Sequence, residues 1–123
     1  MVIPDYDEAI NYYVRKLNFV LLEDTKLSSE KRWVRIAPER DSTFCLLLAK
    51  AKNEKQREAI GNQSGGRVFL FLYTEDIERD HKNLIKNQIE IIRPLTQQPY
   101  GKVLVFRDRY GNLWDLIERK EGH

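Results

Sequence analysis

Two stretches of this chain repeat one pattern, and the repeat limits the folds open to it. "DYDEAINYYVRKLNF" begins at Asp5 and "DIERDHKNLIKNQI" begins at Asp76, 71 residues later. At that spacing Tyr6 falls on Ile77, Ile10 on His81, Tyr13 on Leu84 and Val14 on Ile85. Both stretches read as amphipathic helices. Asp5 can cap the first, with Glu8 three residues on as in a capping box, and Ala9, Ile10, Tyr13, Val14 and Leu17 form one apolar stripe. In the second, Ile77, His81, Leu84 and Ile85 share a face. The spacing then shortens by one, which puts Phe19 on Ile89.

Strand-like runs follow each helix: 19–24, 31–37 and 43–50 in the first half, and 89–95 plus the two arms of "YGKVLVFRDRYGNLWDLIE" in the second. The run 67–73, "RVFLFLY", precedes the second helix, whereas only "MVIP" precedes the first. The expected fold is therefore α+β, with two βαβββ modules and a first strand that is mostly missing. We expect module one over 1–60, a Gly-rich linker "GNQSGG" over 61–66, module two over 67–120 and a tag remnant over 121–123. A strand edge left open at "TFCLLLAK" invites a covering partner, and a homodimer is the expected cover.

Composition narrows the classes. The chain has 123 residues, 21 Lys+Arg against 19 Asp+Glu and a net charge of +2. That balance lacks the basic footprint of a nucleic-acid binder. No apolar run nears the ~20 residues that span a bilayer. The single cysteine, Cys45, lies in "TFCLLLAK" and reads as a small buried hydrophobe. These features predict a cytoplasmic protein without nucleic-acid or membrane partners.

Several residues carry a choice between packing and binding. Arg67, Phe69, Phe71 and Tyr73 alternate onto one face of their strand, either as an aromatic-lined binding surface with a cation at its rim or as plain core. Trp33, between Arg32 and Arg35, has the same ambiguity. His81 reads as a structural histidine, and the run Lys50 to Arg57 as a solvated face. "TFCLLLAK" is apolar enough to be covered on both faces. Pro94 suggests an edge or a strand end. Tyr100-Gly101 reads as a turn, and Tyr110-Gly111-Asn112 as the tip of the last hairpin.

The paired modules, with "FRDRYGNLWDLIE" closing the second, resemble the glyoxalase/bleomycin-resistance/extradiol-dioxygenase (vicinal oxygen chelate) superfamily. The resemblance covers essentially the whole chain. It implies a glyoxalase-like cup in which the first and last strand of each module supply His, Glu or Gln ligands to a divalent metal acting as a Lewis acid. Carried onto this chain, the last-strand position is Asp115. The fifth-strand position falls on Phe69, with Arg67 on the same face, and the fourth-strand position lies within Leu46–Leu48. The first-strand position precedes Met1.

One oxygen ligand of four implies no family-type metal and no cofactor. Asp115 is then expected to pair with Arg67 or Lys102, to contact a ligand, or to bind metal. The function implied is capture of a small anionic or aromatic molecule, with Arg67, Phe69, Phe71, Asp115, Trp33 and Tyr100 as contacts. The alternatives are a lactoylglutathione-lyase-like enzyme whose missing ligands come from an absent N-terminal segment or a partner chain, and a non-catalytic structural or regulatory module.

Overall fold

A computed structural model of the chain describes residues 1–120, so the expected tag remnant at 121–123 lies outside the described residues. The chain divides into two compact units, Met1–Gln63 and Ser64 onward.

The first unit runs β1 (Val2–Ile3), α1 (Tyr6–Lys16), β2 (Val20–Lys26), β3 (Arg32–Ala37), β4 (Leu46–Lys50) and α2 (Glu54–Ala59). Helix α1 starts where an acid can cap it: extended Asp5 accepts from the Glu8 N–H at 2.8 Å. Acids in its first turn and Arg15 and Lys16 in its last complement the helix dipole. It ends because Asn18 takes φ 60°, after which Phe19 N donates to the Tyr13 carbonyl. Ala9, Tyr13 and Phe19 then meet Val34, Ile36 and Leu48 in a core where none is more than 3% exposed.

The first sheet is ordered β1-β4-β3-β2, with β1 parallel to β4 and the other pairs antiparallel. Alternation along β3 buries Val34 and Ile36 and turns Trp33 and Arg35 to the opposite face. Two expectations change here. The strand in "TFCLLLAK" begins only at Leu46, and one face of it is open: Leu48 is buried, but Leu47 is 36% and Phe44 52% exposed.

Nor is its edge unpaired over 47–51. The N-terminal ammonium donates to the Leu47 carbonyl, Ala49 N to Met1 O and Ala51 N to Ile3 O. The Gln63 side-chain amide brackets β1 in turn, accepting from Val2 N at 3.3 Å and donating to Val2 O at 2.9 Å. Over 47–51 this edge therefore presents no unpaired ladder for a partner chain to cover.

The second unit repeats the order: β5 (Leu70–Tyr73), α3 (Ile77–Lys86), β6 (Glu90–Gln98), β7 (Gly101–Arg107) and β8 (Leu113–Arg119), with sheet order β5-β8-β7-β6. Asp76 caps α3 as Asp5 caps α1, and Gln88 closes it at φ 58° as Asn18 closes α1. Phe19 and Ile89 are both buried, as the shortened repeat spacing requires. Ile85, placed on the core face by periodicity, is instead 58% exposed, while Ile77 and Leu84 are buried. His81 is half-buried. Pro94 lies on edge strand β6, inside the second of two register shifts in its ladder with β7, the one between Arg93 and Thr96.

The last hairpin is more than a glycine turn. Asp108, 4% exposed, accepts from Tyr110 N and Asn112 N at 3.0 Å, Asn112 Nδ2 at 3.1 Å and Trp114 Nε1 at 2.9 Å. Trp114 stacks on Phe106 across the hairpin, with ring centroids 6.0 Å apart. Gly101, which begins β7, has φ 147°, and a Cβ there would stand 2.1 Å from the Glu118 carbonyl oxygen.

Asp108→Ala removes the acceptor shared by four donors, each costing roughly 1–3 kcal/mol when buried and unsatisfied. The expected loss is at least ~3 kcal/mol, or on the order of 10 °C in Tm, with Asp108→Asn milder. Thermal unfolding by circular dichroism checks it. Gly101→Ala, which forces backbone apart, is expected to cost at least ~2 kcal/mol, measured as a drop in urea midpoint.

Candidate functional site on the open sheet faces

Each sheet packs one face on its helix; the other exposes Trp33 and Leu47 in the first unit and Phe71 and Tyr73 in the second, where Val105 and Ile117 on the same face are buried. In the second unit the register lines up residues across the open face. Phe71 on β5 pairs with Asp115 on β8, Asp115 with Val105 on β7, and Val105 with Arg93 on β6. Tyr73, two residues from Phe71 on the same face, lies under the Arg119 guanidinium, 3.9 Å from its ring centroid. Phe71 is 57% and Tyr73 49% exposed, so this is an aromatic surface rather than core.

Asp115 is half-buried and makes no ion pair among the described residues. The expected partners are elsewhere. Lys102 pairs with Glu78 at 3.0 Å. Arg67 is exposed in the turn before β5, where its carbonyl accepts from Ser64 Oγ. Burial pushes the Asp115 carboxyl above its usual range, and the Arg93 charge pulls it part of the way back.

The remaining predicted contacts are dispersed. Phe69 is half-buried just before β5, its N–H donating to Leu113 O. Tyr100 is 47% exposed in the β6–β7 turn. Trp33 belongs to the first unit, 40% exposed on its open face.

Beside Trp33 on that face, Arg35 donates from Nε to Glu23 at 2.9 Å and from Nη1 to Cys45 Sγ at 3.8 Å. Cys45 is thus half-buried and hydrogen-bonded rather than sealed in the core. A cavity of about 720 Å³ opens along the end of this sheet, with Trp33, Val2, Leu47 and Ala49 among its walls. Arg32 lines it too, but its guanidinium is held by Asp24 at 3.0 and 2.6 Å and by Asp7 at 2.9 Å. Lys31, Lys50 and Lys52 complete the lining with Glu30. Lys50 and Lys52 belong to a stretch whose composition suggests a solvated face, and the fold makes them part of the cavity lining.

The donor set for a family-type metal does not fit. Asp115 offers oxygen, but its partner on β5 is Phe71, one pleat along from the Phe69 that counting back from the helix cap indicates. On β4 the residue facing Arg35 on the open side is Leu47. A second acidic group, Asp76, Glu78 and Glu118, has carboxylate oxygens within 4.8 Å of one another. Each is already engaged at the start of α3: Asp76 by Arg79 N, Glu118 by Ile77 N and Glu78 by Lys102.

The unpaired, half-buried state of Asp115 reverses the stability effect that an ion pair would give. A carboxyl whose folded-state pKa is raised contributes stability below its unfolded pKa and loses it as pH rises through the folded value. Asp115→Asn should therefore melt at or above the parent at pH 7, by under ~1 kcal/mol. The difference should close by about pH 3, where both side chains are neutral. Melts at the two pH values check it.

Comparison with known proteins places this geometry. The family model described as "Glyoxalase/Bleomycin resistance protein/Dioxygenase superfamily" matches residues 1–116. An uncharacterized protein of Shewanella frigidimarina (strain NCIMB 400) is 50% identical over 119 residues, covering 96% of this chain and 88% of that protein. The crystal structure of UcmS2 superposes with TM-score 0.81 at 24% identity, covering 96% and 92% of the two chains. TnmS3, an antibiotic binding protein from Streptomyces sp. CB03234, superposes with TM-score 0.72 at 24% identity over 98% and 93%. These superpositions show that the two-unit fold of this chain is shared with those proteins. The chain belongs to the glyoxalase/bleomycin resistance protein/dioxygenase superfamily.

Proposed function

We propose that this protein binds a small aromatic or anionic molecule and does so without a family-type metal centre. The observation that carries the reading is the register of β5 on β8. It sets the carbon ring of Phe71 opposite Asp115, where a metal site would need a second donor, and leaves that ring 57% exposed. Phe71 and Asp115 form the centre of the contact surface, and Phe69, Arg67 and Tyr100 are contacts this reading assigns outside that pair. Trp33 is the corresponding aromatic surface of the first unit. Exposed aromatic rings flanked by a few polar groups are what small-molecule sites are made of. The fold shared with TnmS3, an antibiotic binding protein, supports the same class of role.

A lyase reading needs ligands supplied from outside these positions. It is the weaker one, because Phe71 and Leu47 are this chain's own residues on the open faces. Membrane partners find no support either, since among the described residues no helix is long and apolar enough to cross a bilayer.

Two measurements test the proposal. Elemental analysis of the untagged protein should find nickel, zinc and iron well below one per chain, and stoichiometric metal lost in Asp115→Ala would sink the reading. Naphthoate should raise Tm in a concentration-dependent way, as any ligand of the folded state does. Phe71→Ala should weaken that binding by about tenfold, the equivalent of ~1.4 kcal/mol.

A further inference from the structure

The second unit carries two opposite charges on one surface and keeps them apart. The row Phe71, Asp115, Val105, Arg93 takes one residue from each of its four strands, with the side chains on one face. Val105, which lies between the two charges, is apolar and can bond neither of them. At ~4.8 Å per strand, the α-carbons of Asp115 and Arg93 stand about 10 Å apart.

Neither charge is satisfied within the chain. Asp115 and Arg93 make no ion pair among the described residues, with each other or with any other group. By contrast, Arg79, Lys102 and Arg107 of the same unit hold carboxylates at 3.1, 3.0 and 3.0 Å. In the first unit the acid and base of the corresponding face stand on adjacent strands, and Arg35 bonds Glu23 at 2.9 Å. In the second, β7 intervenes. Burial pushes the Asp115 carboxyl up, and the Arg93 charge offsets only part of that from across the strand.

A ligand seated on Phe71 and Asp115 would complete the burial of this carboxylate. A ligand with no donor would leave it unpaired away from water, which costs more than an ordinary hydrogen bond returns. A purely anionic ligand adds repulsion to that cost. A protonated amine removes both, and the Phe71 ring on the other side of Asp115 attracts a cation. Arg93 is exposed and presents a planar fork suited to a carboxylate. We infer, on the strength of the ligand surface proposed above, that this face selects a zwitterion, with a protonated amine on Asp115, a carboxylate on Arg93 and a ring-sized spacer between them. Arg93 thereby joins the surface as the residue that selects the anionic end.

Three naphthalene probes test this at pH 7: 6-methyl-2-naphthoate, its 6-aminomethyl analogue, and the matching amine without the carboxylate. Calorimetry on the parent protein should find the aminomethyl naphthoate bound about tenfold more tightly than the methyl naphthoate, the size of one charge-assisted hydrogen bond. Asp115→Asn should erase that advantage, while methyl naphthoate binds at least as tightly as it does to the parent. Arg93→Gln should weaken both carboxylates by about tenfold and leave the affinity of the amine unchanged. Far-UV circular dichroism of both variants should match the parent.

Equal affinity of the parent for the methyl and aminomethyl naphthoates overturns the inference while the binding surface stands, and it needs no variant to fold. An advantage that survives Asp115→Asn overturns it too, as does a carboxylate affinity indifferent to Arg93→Gln. If none of the three probes binds, the ligand surface itself fails, and the zwitterion with it.

Discussion

The carboxylate of Asp108 is the interaction on which the second unit's geometry depends. Four donors, two backbone and two side-chain, converge on one buried acid inside a turn of residues 108–112. A buried charge is tolerable only when its lone pairs are filled, and here filling them forces the chain to reverse at one place. That sets the register of β7 on β8, with Arg107 opposite Leu113 and Val105 opposite Asp115. β8 lies between β5 and β7, so the strand held by this reversal is also the one on which β5 pairs, with Phe71 opposite Asp115. The Trp114 indole donates to this carboxylate and stacks on Phe106, so the turn and the core are one piece. In the first unit, the connection at 38–45 is longer and has no carboxylate of this kind, and the strand after it starts late.

Charge is handled differently on the two kinds of surface. Arg32 and Arg35 take carboxylate partners in hydrogen-bonded geometry across neighbouring strands. The planar fork of arginine makes such pairing specific. Lysines near the same sheet carry no such partners. On the second unit the imbalance is of the other kind: one half-buried acid whose nearest compensating influence, Arg93, acts across an intervening strand.

Much of the fold was legible because it rests on local rules. Asp5 and Asp76 are caps by chemistry, the helices follow 3.6-residue periodicity, and the repeat joins them. The errors share a cause. Ile85 fits the helical stripe but is exposed, because the stripe's width is set by what packs against it. Counting back from a helix cap puts the fifth-strand ligand position at Phe69, whereas the residue facing Asp115 is Phe71. A strand's register is fixed by its neighbours, and sliding two residues along it keeps the same face. The few residues before α1 suggest an open β4 edge, but the two residues of β1 pair it, and the amide of Gln63 brackets β1 in turn.

The sequence by itself determined the two-module plan, the caps, the alternation that gives each strand two faces, and the presence of an acid on the last strand, because these depend on neighbours within a few residues along the chain. Only the tertiary structure decided what each acid and base touches. Whether Asp115 meets Arg67, Phe71 or Arg93 depends on hydrogen-bond register between strands that are distant in sequence. Whether Lys50 and Lys52 are solvated spacers or cavity walls depends on β4 lying beside β3 and on the loop that carries Lys31. A side chain's chemistry is written in its own letter, but its partners are chosen by contacts that no short window of the sequence contains.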